Sequence, residues 1–133
     1  MEISISTVKG KGPITVFRIA GEISSYNYQA LEEEARQSHA EGMRDLLIDM
    51  ANVTFVSSGG IRALTVILKL LHTAAPKDND EEKSKESQGS AASQFPHLKL
   101  VNVPRRIHEI FKIAGVDALL AIYDDFQKAV DSF

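Results

Sequence analysis

Strand-like and helix-like hydrophobic patterns alternate along most of this chain. The first two strand-like segments, in "ISISTV" and "ITVFRIAGEI", are separated by "KGKGP", so they predict an antiparallel hairpin. Four helix-like segments then alternate with three more strand-like ones. This alternation favours a mostly parallel sheet, because each right-handed crossover between parallel strands packs a helix on the sheet. The prediction is an α/β fold in the order β-β-α-β-α-β-α-β-α.

Several residues mark the ends of the predicted helices. Gly42 follows the first helix and Gly115 follows the third, where a residue free to take positive φ ends a helix. Pro104 suits the first turn of the third helix, and Asp124 can cap the fourth. The predicted core face of the second helix consists of Ile61, Leu64, Ile67, Leu68 and Leu71. The fourth helix has an apolar stripe that predicts core packing or, alternatively, a dimer contact: Phe126, Ala129, Val130 and Phe133.

One stretch does not fit the alternating pattern. The segment "PKDNDEEKSKESQGSAASQ", residues 76–94, has no large apolar residue, so it cannot offset the entropy of ordering. We interpret it as a disordered insertion loop. The whole chain has 133 residues, 44% of them hydrophobic, which fits one domain over residues 1–133 with a core of its own.

The composition argues against several functional classes. A net charge of −3 provides no basic footprint for nucleic acid. The chain has no cysteine and its four histidines show no metal-ligand pattern, so no metal or other cofactor is expected. The N-terminus lacks a signal-peptide pattern, and the run "LTVILKLL" is far shorter than the ~20 apolar residues that span a bilayer. We expect a cytoplasmic protein without nucleic-acid or membrane binding.

The segment "FVSSGG" places two adjacent serines between a predicted strand and a predicted helix. Position alone favours Ser57 or Ser58 as the cap of that helix, a role worth ~1 kcal/mol. Nucleophilic catalysis is an alternative, but the G-x-S-x-G elbow is absent and no spacing ties His97 or His108 to a serine. A third possibility is that one serine accepts a phosphoryl group.

Two other phosphate chemistries are weaker on sequence grounds. No G-x-x-x-x-G-K-[ST] segment occurs, so a nucleotide-binding P-loop is not indicated. Asp49 ends a central strand, where a receiver-type phosphorylated aspartate would lie. The first strand, however, supplies no acidic pair to hold magnesium.

Four segments together resemble one known family: "GEI" at 21–23, "LLIDMANVTFVSSGGIRAL" at 46–64, "LKLVNVPRRIHEIFKIAGV" at 98–116 and "IYDDFQKAV" at 122–130. They resemble a STAS domain of the bacterial anti-sigma factor antagonist class. The most specific segment is D-x-x-x-V-x-F-[ILV]-[DS]-S-x-G, which residues 49–60 match. The resemblance covers nearly the whole chain outside 76–94.

The resemblance implies a phosphorylation-switched binding protein, not an enzyme. In such antagonists the serine two residues before the last glycine of this motif is phosphorylated by an anti-sigma factor that is a serine kinase. That position is Ser58 here, with Ser57 as the alternative. The unphosphorylated domain would bind the kinase and free a sigma factor, and a phosphoserine phosphatase would reverse the modification. The alternatives are a scaffold subunit of a larger STAS-containing signalling assembly and a small-ligand-binding STAS domain.

The resemblance also implies a partner-binding surface around the acceptor serine. Arg62, Thr65 and Lys69 follow Ser58 at intervals of four, three and four residues, so they share one side of the second helix, with Val66 beside them. The full predicted surface is Ser57, Ser58, Gly59, Arg62, Thr65, Val66 and Lys69.

The chain departs from the family pattern at three positions. Family members often have Asp where this chain has Ser57, and Ser or Ala where it has Gly59. Ser24 replaces an Asp that often follows "GE-hydrophobic", so the nucleotide contact implied by that acid does not carry over directly.

Overall fold

The computed structural model describes residues 1–73 and 97–133, which form one five-stranded sheet with helices on both faces. The strands lie side by side in chain order: β1 (Glu2–Lys9), β2 (Pro13–Ile23), β3 (Leu46–Val56), β4 (Leu98–Val101) and β5 (Ala121–Tyr123). β1 pairs antiparallel with β2, as predicted, and every other neighbouring pair is parallel.

The helices follow the strands in the predicted order. They are α1 (Tyr28–Ala40), α2 (Ser58–Thr73), α3 (Arg105–Ala114) and α4 (Phe126–Asp131), with a 3-10 helix at Val116–Ala118 before β5. The predicted α/β fold is therefore confirmed. The predicted insertion loop at 76–94 lies outside the described residues, so it stays a prediction.

The main core lies between the sheet and the helices α1, α2 and α3. These helices share one face because successive right-handed crossovers advance in the same direction across the sheet. The predicted apolar face of α2 is confirmed by the burial of Leu64, Ile67, Leu68 and Leu71, although Ile61 is only half-buried. Partners from other elements include Phe17 and Ile48 of the sheet, Leu31 of α1, and Ile107 and Phe111 of α3.

A second, smaller core lies on the opposite face of the sheet, under α4. Ala129 and Val130 are buried there against Ile14, Val16 and Leu47. Phe126 and Phe133 pack around this group as half-buried residues. The apolar stripe of α4 is therefore core, which confirms the first of its two predicted roles.

A buried lysine connects this second core to the C-terminal residues. The Lys99 side chain points under α4, and its Nζ donates hydrogen bonds to the backbone oxygen (2.8 Å) and to Oγ (2.9 Å) of Ser132. The Phe133 ring lies 4.6 Å from Nζ, close enough for a cation–π contact. Burial lowers the pKa of the Lys99 amine below its ordinary 10.5, and Lys11 lowers it further, while Asp45 opposes both effects.

Two of the predicted helix boundaries are confirmed and two are adjusted. Gly42 and Gly115 follow their helices with φ of 115° and 83°, so both need the freedom of glycine. Pro104 is the residue before α3 and not its first residue. The predicted cap at Asp124 is wrong: Asp125 caps α4, and its Oδ1 accepts from the Lys128 amide at 3.2 Å.

Candidate functional site

The two serines lie at the carboxyl edge of the sheet, where β3 passes directly into α2. β3 ends at Val56, which is paired with Ile23 at the end of β2. The Ser57 amide donates to the Ile23 carbonyl oxygen at 2.8 Å. The serine pair is thereby fixed beside the turn that leads from β2 into α1.

Ser57 is the cap of α2. Its Oγ accepts a hydrogen bond from the Gly60 amide at 3.2 Å, and its carbonyl oxygen accepts from the Ile61 amide at 3.0 Å. A capping hydroxyl of this kind satisfies one of the first-turn amides that the helix cannot pair internally. Ser57 is half-buried, which agrees with a structural role for its side chain.

Ser58 is the first residue of α2 and is exposed to solvent. No residue in the described ranges forms a hydrogen bond with its hydroxyl. The first turn of α2 carries no acidic side chain. Negative charge is favourable at a helix N-terminus because of the unpaired amides and the helix dipole. The position is therefore both accessible to a reagent and tolerant of an added anion.

The two glycines after the serines allow a close approach of α2 to its neighbours. A Cβ atom at Gly59 would lie 2.7 Å from Cδ1 of the Tyr28 ring. A Cβ atom at Gly60 would lie 2.7 Å from Cγ1 of Val56 and 2.8 Å from Cγ2 of Ile23. The motif glycines thus set how deeply the first turn of α2 sits on the sheet and on α1.

The outer side of α2 presents the predicted partner-binding stripe. Arg62 and Lys69 are exposed, while Thr65 and Val66 are half-buried. The Thr65 hydroxyl donates to the Ile61 carbonyl oxygen at 3.2 Å, so it is engaged within the helix. These residues and Ser58 lie on the side of α2 away from its buried Leu64 and Leu68 face.

A tightly bonded turn forms the rim of the site next to the serines. The Ser24 amide donates to Asn27 Oδ1 (2.8 Å), and Asn27 Nδ2 donates to the Glu22 carbonyl oxygen (3.1 Å). The Ser24 Oγ accepts from the Tyr26 amide at 3.1 Å. Neither Tyr26 nor Asn27 was among the predicted site residues, although the Ser and Asn pattern before a helix is a turn signal.

His97 and Asp49, two residues considered for alternative chemistry at the serines, are both engaged with other partners. His97 lies at the opposite, amino edge of the sheet, where its Nδ1 is 2.8 Å from Asp45 Oδ1. The carboxylate of Asp49 is occupied by the Ala51 amide, Asn102 Nδ2 and Arg18 Nε, at 3.1 to 3.3 Å. Asp49 therefore links the interior of β3 to Arg18 of β2 and to Asn102 after β4, and the expectation that Asp49 ends its strand is wrong, because β3 continues to Val56.

The described residues offer no candidate metal site and no candidate membrane span. Within 1–73 and 97–133, no group of three or more His, Asp or Glu side chains is placed to hold a metal ion. In the same ranges, no helix has both the length and the apolar character required to cross a membrane.

The family of this chain can be assigned once its fold and the strand–helix junction that carries the two serines are known. The model of the STAS domain matches residues 6–75 of this chain, which is more than half of its length. The chain belongs to the STAS domain family.

Several proteins are similar to this chain in sequence or in fold. The chain is 26% identical over 105 residues to the anti-sigma-B factor antagonist of Staphylococcus aureus strain NCTC 8325, covering 79% of each protein. It is similar in fold to an anti-sigma factor antagonist from Mycobacterium paratuberculosis, with a TM-score of 0.64, 20% identity and coverage of 96% of this chain and 91% of that one. The phosphorylated form of the Bacillus cell fate determinant SpoIIAA also shares the fold, with a TM-score of 0.63, 13% identity and coverage of 98% and 97%.

Proposed function

We propose that this STAS domain is an anti-sigma factor antagonist whose binding is switched by phosphorylation of Ser58. The unphosphorylated domain binds an anti-sigma factor that is a serine kinase, and this binding releases a sigma factor. The kinase transfers the γ-phosphoryl group of ATP to Ser58 Oγ, which loses its proton, and ADP leaves. The antagonist then dissociates until a phosphatase hydrolyses the phosphoserine.

The observation that carries this proposal is the division of roles between the two serines. Ser57 Oγ is committed to the Gly60 amide at 3.2 Å, whereas Ser58 is exposed at the first position of α2. A kinase needs access to a hydroxyl that the fold does not use. Ser58 meets that requirement, and the named relatives at 26% identity are antagonists of an anti-sigma factor.

The electrostatics of the helix start explain how the fold would tolerate the modification. A phosphoserine adds about −1.5 to −2 charges and three acceptor oxygens. It would lie at the positive end of the α2 dipole and one turn before the exposed Arg62. The added charge therefore leaves the domain folded, and its effect falls on the surface that docks the partner.

On this account the chain contributes the acceptor group and the docking surface, while ATP, magnesium and catalysis belong to the kinase. The binding surface comprises the predicted residues at the start and along the outer side of α2: Ser57, Ser58, Gly59, Arg62, Thr65, Val66 and Lys69. Loss of affinity on phosphorylation arises because a partner surface shaped for a neutral hydroxyl must accept a charged, strongly hydrated group.

The test is phosphoryl transfer in a purified system. Each serine-kinase anti-sigma factor encoded in the same genome is incubated with this protein and ATP, and the products are mapped by mass spectrometry of peptides. The expected result is one phosphate on Ser58 with one kinase, retained in Ser57→Ala and lost in Ser58→Ala. Full modification of Ser58→Ala, or transfer by none of these kinases, would overturn the proposal.

A further inference from the structure

Tyr26 is the most exposed large hydrophobic side chain in the described part of the chain. Its relative exposure is 96%, against 88% for Ile113 and 46% or less for the others, which are Ile5, Phe55 and Leu119. Burying a tyrosine ring on folding is normally favourable, so a ring left almost wholly in water is available for burial by a partner. Tyrosine is also among the residues enriched at the energetic centres of interfaces.

The backbone that carries Tyr26 is held rigidly although its side chain is free. The Tyr26 amide donates to Ser24 Oγ at 3.1 Å, and the amides of Asn27 and Tyr28 both donate to the Ser24 carbonyl oxygen, at 3.3 and 3.1 Å. The Asn27 side chain bonds to the chain on both sides of the turn, at Ser24 and at Glu22. Presenting a ring from a fixed turn reduces the entropy lost when a partner binds it.

This turn lies next to the two residues that flank the acceptor serine, Ser57 and Gly59. The carbonyl oxygen of Ile23, the last residue of β2, accepts a hydrogen bond from the Ser57 amide at 2.8 Å. Two residues beyond Tyr26, the Tyr28 ring packs so closely on Gly59 that a Cβ there would lie 2.7 Å from it. The turn and the first turn of α2 therefore form one continuous surface at the carboxyl edge of the sheet.

We propose that Tyr26 is an anchor residue that binds an apolar pocket on the anti-sigma factor kinase. This inference rests on the proposed function and names a contact outside the stripe along α2. A kinase that brings its catalytic site to Ser58 Oγ must cover the surroundings of that hydroxyl. A standard interface covers about 800 Å² per partner, equivalent to a disc of about 16 Å radius, so it extends over the adjoining turn. The exposed ring on that turn is then buried on binding.

The experiment measures affinity and phosphoryl transfer for matched variants with the purified kinase that modifies the wild type. Tyr26→Ala removes the ring, and Tyr26→Phe keeps it. Ile113→Ala is the control, because Ile113 is 88% exposed but lies in the last turn of α3, which runs away from the carboxyl edge. Thermal melts of all variants verify that the fold is unchanged.

We expect Tyr26→Ala to weaken binding by about thirtyfold or more, as truncation of an interface hot spot does. Tyr26→Phe and Ile113→Ala are expected to stay within about threefold of the wild type, because neither removes an anchor ring. With Tyr26→Ala, the KM for the protein substrate should rise while kcat at saturation is retained, since an anchor contributes equally to ground-state and transition-state binding.

Two outcomes would overturn the anchor assignment alone: wild-type affinity in Tyr26→Ala, or a dimer of this chain in sedimentation velocity that dissociates in Tyr26→Ala. The second would assign the ring to self-association. The proposed function is tested separately by Ser58→Asp in the same series. Equal binding of wild type and Ser58→Asp would count against the switch whatever Tyr26 does, and a wild type that binds no anti-sigma factor kinase would overturn both.

Discussion

The hydroxyl oxygen of Ser57 accepts a hydrogen bond from the Gly60 amide at 3.2 Å, and this contact assigns different roles to two neighbouring serines. Ser57 stabilises the start of α2, while the exposed Ser58 is left accessible on the surface. The motif thus contains a structural serine and a candidate phosphoryl acceptor side by side. The two roles can be separated by stability and modification measurements.

Ser57→Ala should lower the free energy of unfolding by about 0.5 to 2 kcal/mol, because the Gly60 amide loses its capping acceptor. Ser58→Ala is the matched control and should change stability by less than ~0.5 kcal/mol, as exposed substitutions usually do. Urea denaturation of both variants measures the difference. Equal losses in the two variants would show that Ser57 is not the cap in solution.

Gly60→Ala should destabilise the domain by about 1 to 3 kcal/mol, through overpacking against Val56 and Ile23. This cost exceeds the gain of at most about 1 kcal/mol that alanine brings to a helix. Gly12→Ala is the control, because a Cβ at Gly12 meets nothing within 4 Å. Thermal unfolding should show a lower melting temperature for the first variant only, and a stabilised Gly60→Ala would mean that α2 shifts away from the sheet at little cost.

Arg62→Glu should weaken kinase binding while moving the melting temperature very little, because Arg62 is exposed on the outer side of α2. Leu64→Ala should instead lower the melting temperature and leave the affinity of the folded protein for the kinase unchanged. Leu64 is almost fully buried, so its truncation should cost about 2 to 5 kcal/mol of stability and affect binding only through unfolding. Calorimetric titration and thermal melts of both variants provide the comparison, and unchanged affinity in Arg62→Glu would remove this face from the interface.

The buried Lys99 amine predicts a pH dependence of stability. Its pKa in the folded protein is lowered from 10.5, chiefly by burial. Between the lowered value and 10.5 the unfolded chain binds more protons than the folded one, so this group makes the free energy of unfolding rise with pH in that window. At pH values below this window the Lys99 amine is charged in both the folded and the unfolded state. Its burial then lowers the free energy of unfolding by the full amount.

The comparison with Lys99→Met isolates this contribution, since that variant lacks the titrating group. The free energy of unfolding of the wild type minus that of Lys99→Met should increase as the pH is raised from neutrality towards 10.5. Chemical denaturation at a series of pH values measures this difference. A difference that stays constant or falls would contradict the lowered pKa.

The order of strands and helices could be predicted from sequence because each element carries a clear hydrophobic period. The Leu64 and Leu68 face of α2 and the Val130 stripe of α4 repeat with helical spacing, and both are buried as expected. The continuous apolar run Leu46–Ile48 identified the central strand β3. The strand nevertheless continues to Val56, because irregular pairing with β2 lets it carry exposed residues in its second half.

Features that depend on three-dimensional packing could not be predicted in this way. Lys99 reads as an ordinary charged strand residue, and its burial follows only from the position of Ser132 and α4 above it. The adjacent Asp124 and Asp125 are equivalent cap candidates in sequence, and backbone geometry selects the second. For the same reason, the sequence left the capping role open between Ser57 and Ser58, since both stand where the helix is predicted to begin.

The exposure of the Tyr26 ring could not be predicted from the sequence either. An aromatic residue near a helix start is commonly part of a core, and Tyr28, two residues later, does pack against Gly59. Only the folded turn separates the packed ring from the exposed one.

The central claim is that phosphorylation of Ser58 releases the kinase, and its most direct test is calorimetric titration of one purified kinase with two forms of this protein. One form is unmodified, and the other is phosphorylated on Ser58 by the kinase and purified. The account predicts that the phosphorylated form binds at least about a hundredfold more weakly, a loss of roughly 2.8 kcal/mol. Equal affinity of the two forms would contradict it.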